Sequence, residues 1–248
     1  DLLQPGENLL AIQGLNASSA SSDFLIWAEL VVGEQAAARG DVSSVAALYD
    51  GPIALSASAC VKARTWAAGA WSALNEAVFA VRPVAESLRI SEIMYHPADA
   101  GDPNDPNTEF IELTNIGSEP VSLNLVRFTE GIEFTFPGVV LLPGEYLLAV
   151  KDLAAFEAGY GPDLPIAGQY NGSLSNAGER IRLQDAAGQV IHDFRFQDGW
   201  YDSTDGLGRS LVVRDPATTD PTSFGDRAAW RPSAETGGSP GSDDASSL

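Results

Sequence analysis

The sequence predicts an all-β fold whose strands pack as a sandwich, and three observations predict it. Apolar and polar residues alternate with a period of two, as at Ile132, Phe134 and Phe136 with Glu133 and Thr135 between them. That period marks a strand with one buried and one wet face. Turn-forming glycines and prolines punctuate the chain at short intervals, as strand-rich domains require. Helical periodicity is confined to residues 152–160, enough for one or two turns, and no run of heptads predicts a rod.

Taken in order, residues 1–16 are a Pro5-Gly6 turn followed by a strand in which Leu10 and Ile12 alternate with Ala11 and Gln13. A polar loop at 18–23 leads to a second strand at 24–32. Two strands alone are marginal in water, so this segment must pack on something else. Residues 34–82 give strands at 47–55, 58–66 and 69–79, with turns at Asp50-Gly51-Pro52 and Ala68-Gly69. A short linker, 83–87, leads into the main domain, 88–241. There, strands are expected at 88–97, 109–115, 132–136 and 141–150, and a hairpin joins 180–184 to 189–196 across Gly188. The tail, 242–248, is small and polar and is expected to be disordered.

Composition narrows the function classes. The net charge is -20, from 34 acidic against 14 basic residues. Such a surface repels phosphate backbones and anionic lipid, so neither nucleic acid nor a membrane surface is an expected partner. No apolar stretch approaches membrane-spanning length. The single cysteine, Cys60, rules out an internal disulfide and a cysteine-based metal cluster. Its place in an alternating strand suggests a small buried hydrophobe rather than a nucleophile.

A series of motifs runs in order through the main domain: I-x-E-I-x-Y at 90–95, E-F-I-E-L-x-N at 109–115, G-I-x-F-x-F-P at 131–137 and L-x-P-G-x-Y at 141–146. Y-x-G-x-L-S-N-x-G-E follows at 170–179, D-G-x-G-x-S-L at 205–211, and W-x-x-S…G-S-P-G at 230–241. In this order they resemble the lamin-tail domain of secreted bacterial proteins. The resemblance implies an immunoglobulin-like β-sandwich, and the count of strands agrees with it. A smaller, incomplete β-sandwich module precedes it. Residues 1–33 resemble the closing strands of a galactose-binding-like jelly roll, and 34–82 resemble the later half of a chitobiase C-terminal-like, immunoglobulin-like module. That module departs from its family in lacking the early strand before Val45.

Candidate sites are few. Asp99, Asp102, Asn104, Asp105 and Asn107 crowd a proline-stiffened loop with hard oxygen groups of the kind Ca²⁺ takes. Their spacing is not that of an EF-hand, and the alternative is a solvated turn whose side chains cap local backbone. Trp200 and Tyr201 lie in a loop where flat rings could stack on sugars, or could instead staple the sandwich. His96 and His192 are the only histidines, and His192, in step with Phe194 and Phe196, reads as structural. Glu109 and Glu112 cannot form an acid pair, because their odd spacing sends them to opposite faces. No catalytic residues and no cofactor are expected, calcium at the 99–107 loop being the one metal considered.

The resemblance implies a non-catalytic structural or binding module of a multidomain bacterial protein, secreted or on the cell surface, of the kind found beside hydrolases or spore-coat-kinase-like domains. Its expected partners are other domains of the parent protein, a cell-surface protein or a polysaccharide. The other readings are a carbohydrate-binding module accessory to a hydrolase and a fragment of a larger enzyme.

Overall fold

The computed structural model describes residues 52–55, 58–63, 66–67, 70–81, 84–98 and 107–244. The chain divides into two compact units, Asp1–Phe79 and Ala80–Leu248. In the first, β1 (Ala59–Ala63), β2 (Trp66–Ala67), β3 (Ala70–Trp71) and β4 (Asn75–Phe79) form a hairpin. Ala59 pairs with Phe79 at one end and Trp66 with Trp71 near the turn, so the hairpin expected about Ala68-Gly69 forms. Of the strand expected at 47–55, residues 52–55 are described and are irregular. Cys60 is only partly buried, a correction to its expected place in a core. Its thiol donates to Glu76 Oε1 at 2.9 Å, and that bond holds the thiol protonated and its pKa raised. The strands expected within 1–33 lie outside the described residues.

The second unit is a sandwich. Its strands are β5 (Leu88–Met94), β6 (Phe110–Asn115), β7 (Val121–Ser122), β8 (Arg127–Glu130), β9 (Phe134–Thr135), β10 (Val140–Leu141) and β11 (Tyr146–Val150). After the helix α1 (Leu153–Tyr160) come β12 (Ile166–Gln169), β13 (Arg180–Gln184), β14 (Val190–Arg195), β15 (Leu211–Val213) and β16 (Trp230–Pro232). Six strands in the order β12-β11-β6-β5-β15-β16 make one sheet, and β14-β13-β8-β9 make the other. The facing rows Leu88, Ile90, Ile111, Leu113, Ala149 and Leu211 meet Phe128, Ile181, Leu183 and Phe194 in one apolar core. This is the expected all-β, immunoglobulin-like sandwich.

β5 and β6 are the central strands of the larger sheet, and every residue of β6 is buried. Burial on both faces requires a second cover. On one half of the outer face it is α1, whose Phe156 stands edge-on to Phe110 at 5.7 Å, with Met94, Leu148 and Val150 beside them. The helix starts where Asp152 accepts the Ala155 N–H at 3.0 Å, an N-cap that satisfies a donor the first turn leaves open. A bulge between Ile90 and Glu92 breaks the period of two in β5. It lets Ile90 and Ile93, three apart, both reach the core, and it turns Ser91 and Glu92 outward.

Trp230 closes the core at the edge strand β16. Its ring is fully buried against Phe194, Phe224 and Trp200, and its Nε1–H donates to the Phe224 carbonyl at 2.8 Å. Replacing Trp230 with Ala removes that packing and leaves the Phe224 carbonyl without its donor. The expected cost is about 3–5 kcal/mol, read as a lowered urea midpoint in far-UV circular dichroism. A loss below about 1 kcal/mol would contradict this placement of the ring.

Candidate functional site

Two carboxyl groups with raised pKa values lie on the central strands of the sandwich. Glu92 and Glu112 are directly opposite one another in the β5–β6 pairing, and each is 1% exposed. Both sit inside apolar runs, Ile-Ser-Glu-Ile and Phe-Ile-Glu-Leu. The bulge and the register bring them together on the half of the outer face that α1 leaves uncovered.

The segment after β16 covers that half. Glu92 accepts the Ser239 N–H at 3.0 Å, the Ser239 hydroxyl at 2.7 Å and the Ser210 hydroxyl. Glu112 accepts the Ser91 hydroxyl at 2.7 Å and the Gly241 N–H at 2.6 Å. Gly238 arrives with φ +79°, and a Cβ there would run into Glu92 Oε1. Asp244, buried with it, ties the end of the strap through Arg231 at 2.8 Å and the Ala234 N–H at 2.9 Å. The motif G-S-P-G is therefore a strap whose backbone and hydroxyl donors fit a carboxyl pair.

No described cation lies within ion-pair distance of Glu92 or Glu112. Burial raises the pKa of both, with the Glu92 charge adding to the rise at Glu112 and Asp244 adding at Glu92. The remaining space between the pair, Tyr146, Ser239 and Asp243 is about 10 Å³, room for no more than one water. The arrangement can hold protons and neutral donors. It offers no opening for a substrate.

A second pair of acids organises the loop after β12. Glu109 accepts the Tyr170 hydroxyl at 3.1 Å and the Leu174 N–H at 2.7 Å, and Glu179 accepts the Ser175 N–H at 2.6 Å. Glu109 thus faces the main core, to which Tyr170 and Leu174 belong, and Glu112 faces the strap, so the two lie on opposite faces as their spacing predicts. The pairing of Glu112 with Glu92 was not visible in the spacing. The signal for it is a glutamate flanked by apolar residues, as Glu112 is between Ile111 and Leu113, which only internal donors make tolerable.

The histidines are structural. His192 is buried and stacks on Phe224 at 5.0 Å, with Nε2 3.2 Å from the Leu88 carbonyl and 3.4 Å from the Ile90 nitrogen. Burial, aided by the nearby Arg89 charge, pushes its pKa down to about 3. His96 Nδ1 lies 2.6 Å from Asp205 Oδ1, fixing the turn at Gly206.

The other expected site residues are placed as follows. Trp200 is 7% exposed, belongs to the core and packs toward Trp230, so stacking a sugar on it would require the ring to leave. Tyr201 is half-buried. Its hydroxyl donates to the Trp230 carbonyl at 2.9 Å, and the Arg227 guanidinium covers its ring at 4.4 Å. Asp99, Asp102, Asn104 and Asp105 lie outside the described residues. Asn107 is described, and its Oδ1 accepts the Glu109 N–H at 3.2 Å. Among the described residues no three of the types His, Cys, Asp and Glu are grouped to hold a metal.

Two expectations follow from the strap. The carboxyl pair has raised pKa values in the folded chain, so the stability it gives is complete below the unfolded glutamate value of about 4.3 and is lost as pH rises through the folded values. The Glu112→Gln variant removes one titration. Its stability relative to the parent should therefore rise in chemical unfolding as pH increases above about 4.3 and level off once the folded values are passed, and a constant difference would refute the coupling. Tyr146, Asp243 and the Asp244–Arg231 pair also face this site, and they are unchanged in that comparison. Gly238→Ala places a Cβ against Glu92 at positive φ and should cost about 2 kcal/mol or more. Amide exchange at Ser239 and Gly241 should then speed up before exchange in β6 does.

Among known families, residues 82–198 match the model described as Lamin Tail Domain. No curated protein and no solved structure matches the chain. The likenesses read in residues 1–33 and 34–82 gain no support from this match, which begins at residue 82. The strands from β5 through β14 fall within the matched stretch, and the domain they build is similar to a lamin tail domain on an immunoglobulin-like β-sandwich.

Proposed function

We propose that the chain serves as a non-catalytic structural and binding module of a larger secreted or cell-surface protein. One observation carries this reading: four glutamates of the sandwich are turned inward onto its own segments. Glu92 and Glu112 hold the strap, and Glu109 and Glu179 hold the loop at 170–179. A general acid must reach the proton-bearing atom of its substrate within hydrogen-bond distance. The space beside the pair admits a water and nothing larger. The match to a lamin tail domain is compatible with such a module.

In this reading the motifs that carry the resemblance specify a rigid sandwich, and recognition is left to its outer surfaces. Attachment or spacing within a parent protein, and contact with a cell-surface protein or polysaccharide, are the tasks such a body serves. The galactose-binding-like and chitobiase-like segments at 1–82 would be further modules of the same parent. The test is a panel of glycoside, ester and peptide hydrolysis assays on the full chain. The expected result is turnover equal to buffer alone. Turnover that disappears in Glu112→Gln or Glu92→Gln, with the fold retained, would overturn the reading.

A further inference from the structure

The outer face of the smaller sheet has a groove of about 530 Å³ running over β8 and β9 and past residues 171–172. That volume lies in the range of small-ligand sites, about 300–1,000 Å³. Six polar side chains line it: Arg127, Thr129, Glu130, Glu133, Thr135 and Asn171. Glu130 is tied to Arg180, and none of the other five side chains makes a hydrogen bond or ion pair among the described residues. The residues around them contrast sharply. Arg180 is bidentate to Asp193 at 2.6 Å and reaches Glu130 at 3.3 Å, and Arg182 stands beside the same two acids. Glu130, Asp193, Arg180 and Arg182 are thus tied to one another, and Arg127 and Glu133 are left open.

The backbone narrows what can bind. Glu133 and Asn171 exchange both backbone hydrogen bonds at 3.0 Å, which closes this end of the hairpin to an added strand. A ligand must therefore bond to side chains. The uncharged ones are two hydroxyls and an amide, each able to donate and accept, which suits a ring carrying several hydroxyls. Glu133 adds an acceptor for ligand O–H groups. Arg127, half-buried on β8, is the cation of the groove, and its planar fork matches a carboxylate. Locally the charges balance, since Arg127, Arg180 and Arg182 face Glu130, Glu133 and Asp193. A ligand with one carboxylate per ring can therefore approach a chain whose net charge is -20, whereas a densely sulfated polymer is repelled.

We propose that this groove binds a carboxylated sugar, a hexuronate unit of an acidic polysaccharide, with Arg127 holding the carboxylate and Thr129, Thr135, Asn171 and Glu133 holding hydroxyls. The inference rests on the reading of the chain as a binding module and deepens it.

The experiment is calorimetric titration of the full chain with tetragalacturonate, with cellotetraose and a zwitterionic dipeptide as comparison ligands. Tetragalacturonate should bind at least tenfold more tightly than cellotetraose. Arg127→Ala should weaken it tenfold or more, and Arg127→Lys should weaken it less, with unfolding midpoints unchanged in both. Absence of binding, equal affinity for the neutral tetramer, or an Arg127→Ala variant with unaltered affinity would each overturn the proposal. Tighter binding of the dipeptide, lost in Glu133→Gln, would overturn it in favour of a zwitterion site. Product analysis of the titrated mixture separates the two levels: intact sugar without binding defeats the groove alone, and cleaved sugar defeats the non-catalytic reading.

Discussion

Two carboxyl groups facing one another at the centre of a sheet set the terms for the rest of the sandwich. Glu92 and Glu112 lie on the two middle strands, so their surroundings cannot be left to solvent without exposing the middle of the larger sheet. Burying them without a cation is costly unless every lone pair meets a donor. The donors come from far along the chain: Ser210, Ser239 and Gly241, with Ser91 supplied by the bulge. The bulge, the turn at positive φ and the serine-rich strap are three answers to one electrostatic problem. α1 covers the other half of the face by simpler means, with phenylalanine against phenylalanine.

The division of labour between the two sheets follows. The larger sheet is covered on both faces and is closed to ligands near its centre. The smaller sheet has one face in the core and the other in water, with a ladder of arginines and acids across β8, β13 and β14. Recognition on a sandwich belongs on such a face, where rigid strands hold side chains in place without loops having to order. The aromatic rings do not take that part. Trp200, Trp230 and Phe224 are drawn together around His192 and the edge strand, where their area stabilises the core.

Much of the fold was legible because period-two alternation and turn glycines are local signals. The hairpin across Gly188 formed with Arg180 opposite Arg195, and the short helix began at Asp152. What was not legible was set by contacts between distant residues. Nothing in the spacing of Ile90 and Ile93 announces a bulge, and nothing local says that Glu92 and Glu112 share a register. Trp200 could be read either as a sugar platform or as a staple because its neighbours Asp198, Gly199 and Asp202 are loop formers, and the short 3-10 turn at Asp198–Trp200 carries the buried ring. The groove was invisible for a similar reason. Arg127, Thr135 and Asn171 are ordinary surface residues in sequence, and only the β8–β9 pairing and the bridge at Glu133 bring them to one concavity.

The strap has a consequence for how the chain acquires its structure. Ser239 and Glu92 are 147 residues apart, and Gly241 and Glu112 are 129 apart. During synthesis the two middle strands emerge long before the donors that satisfy them. Until then the acid pair must stay hydrated or protonated, and a dry, fully packed sheet cannot form around it. Contacts this remote slow folding, because the ends of a long loop must meet before either gains from the meeting. The carboxyl pair thereby makes completion of the sandwich wait for its last segment, and a nascent chain lacking that segment keeps an open, water-accessible sheet.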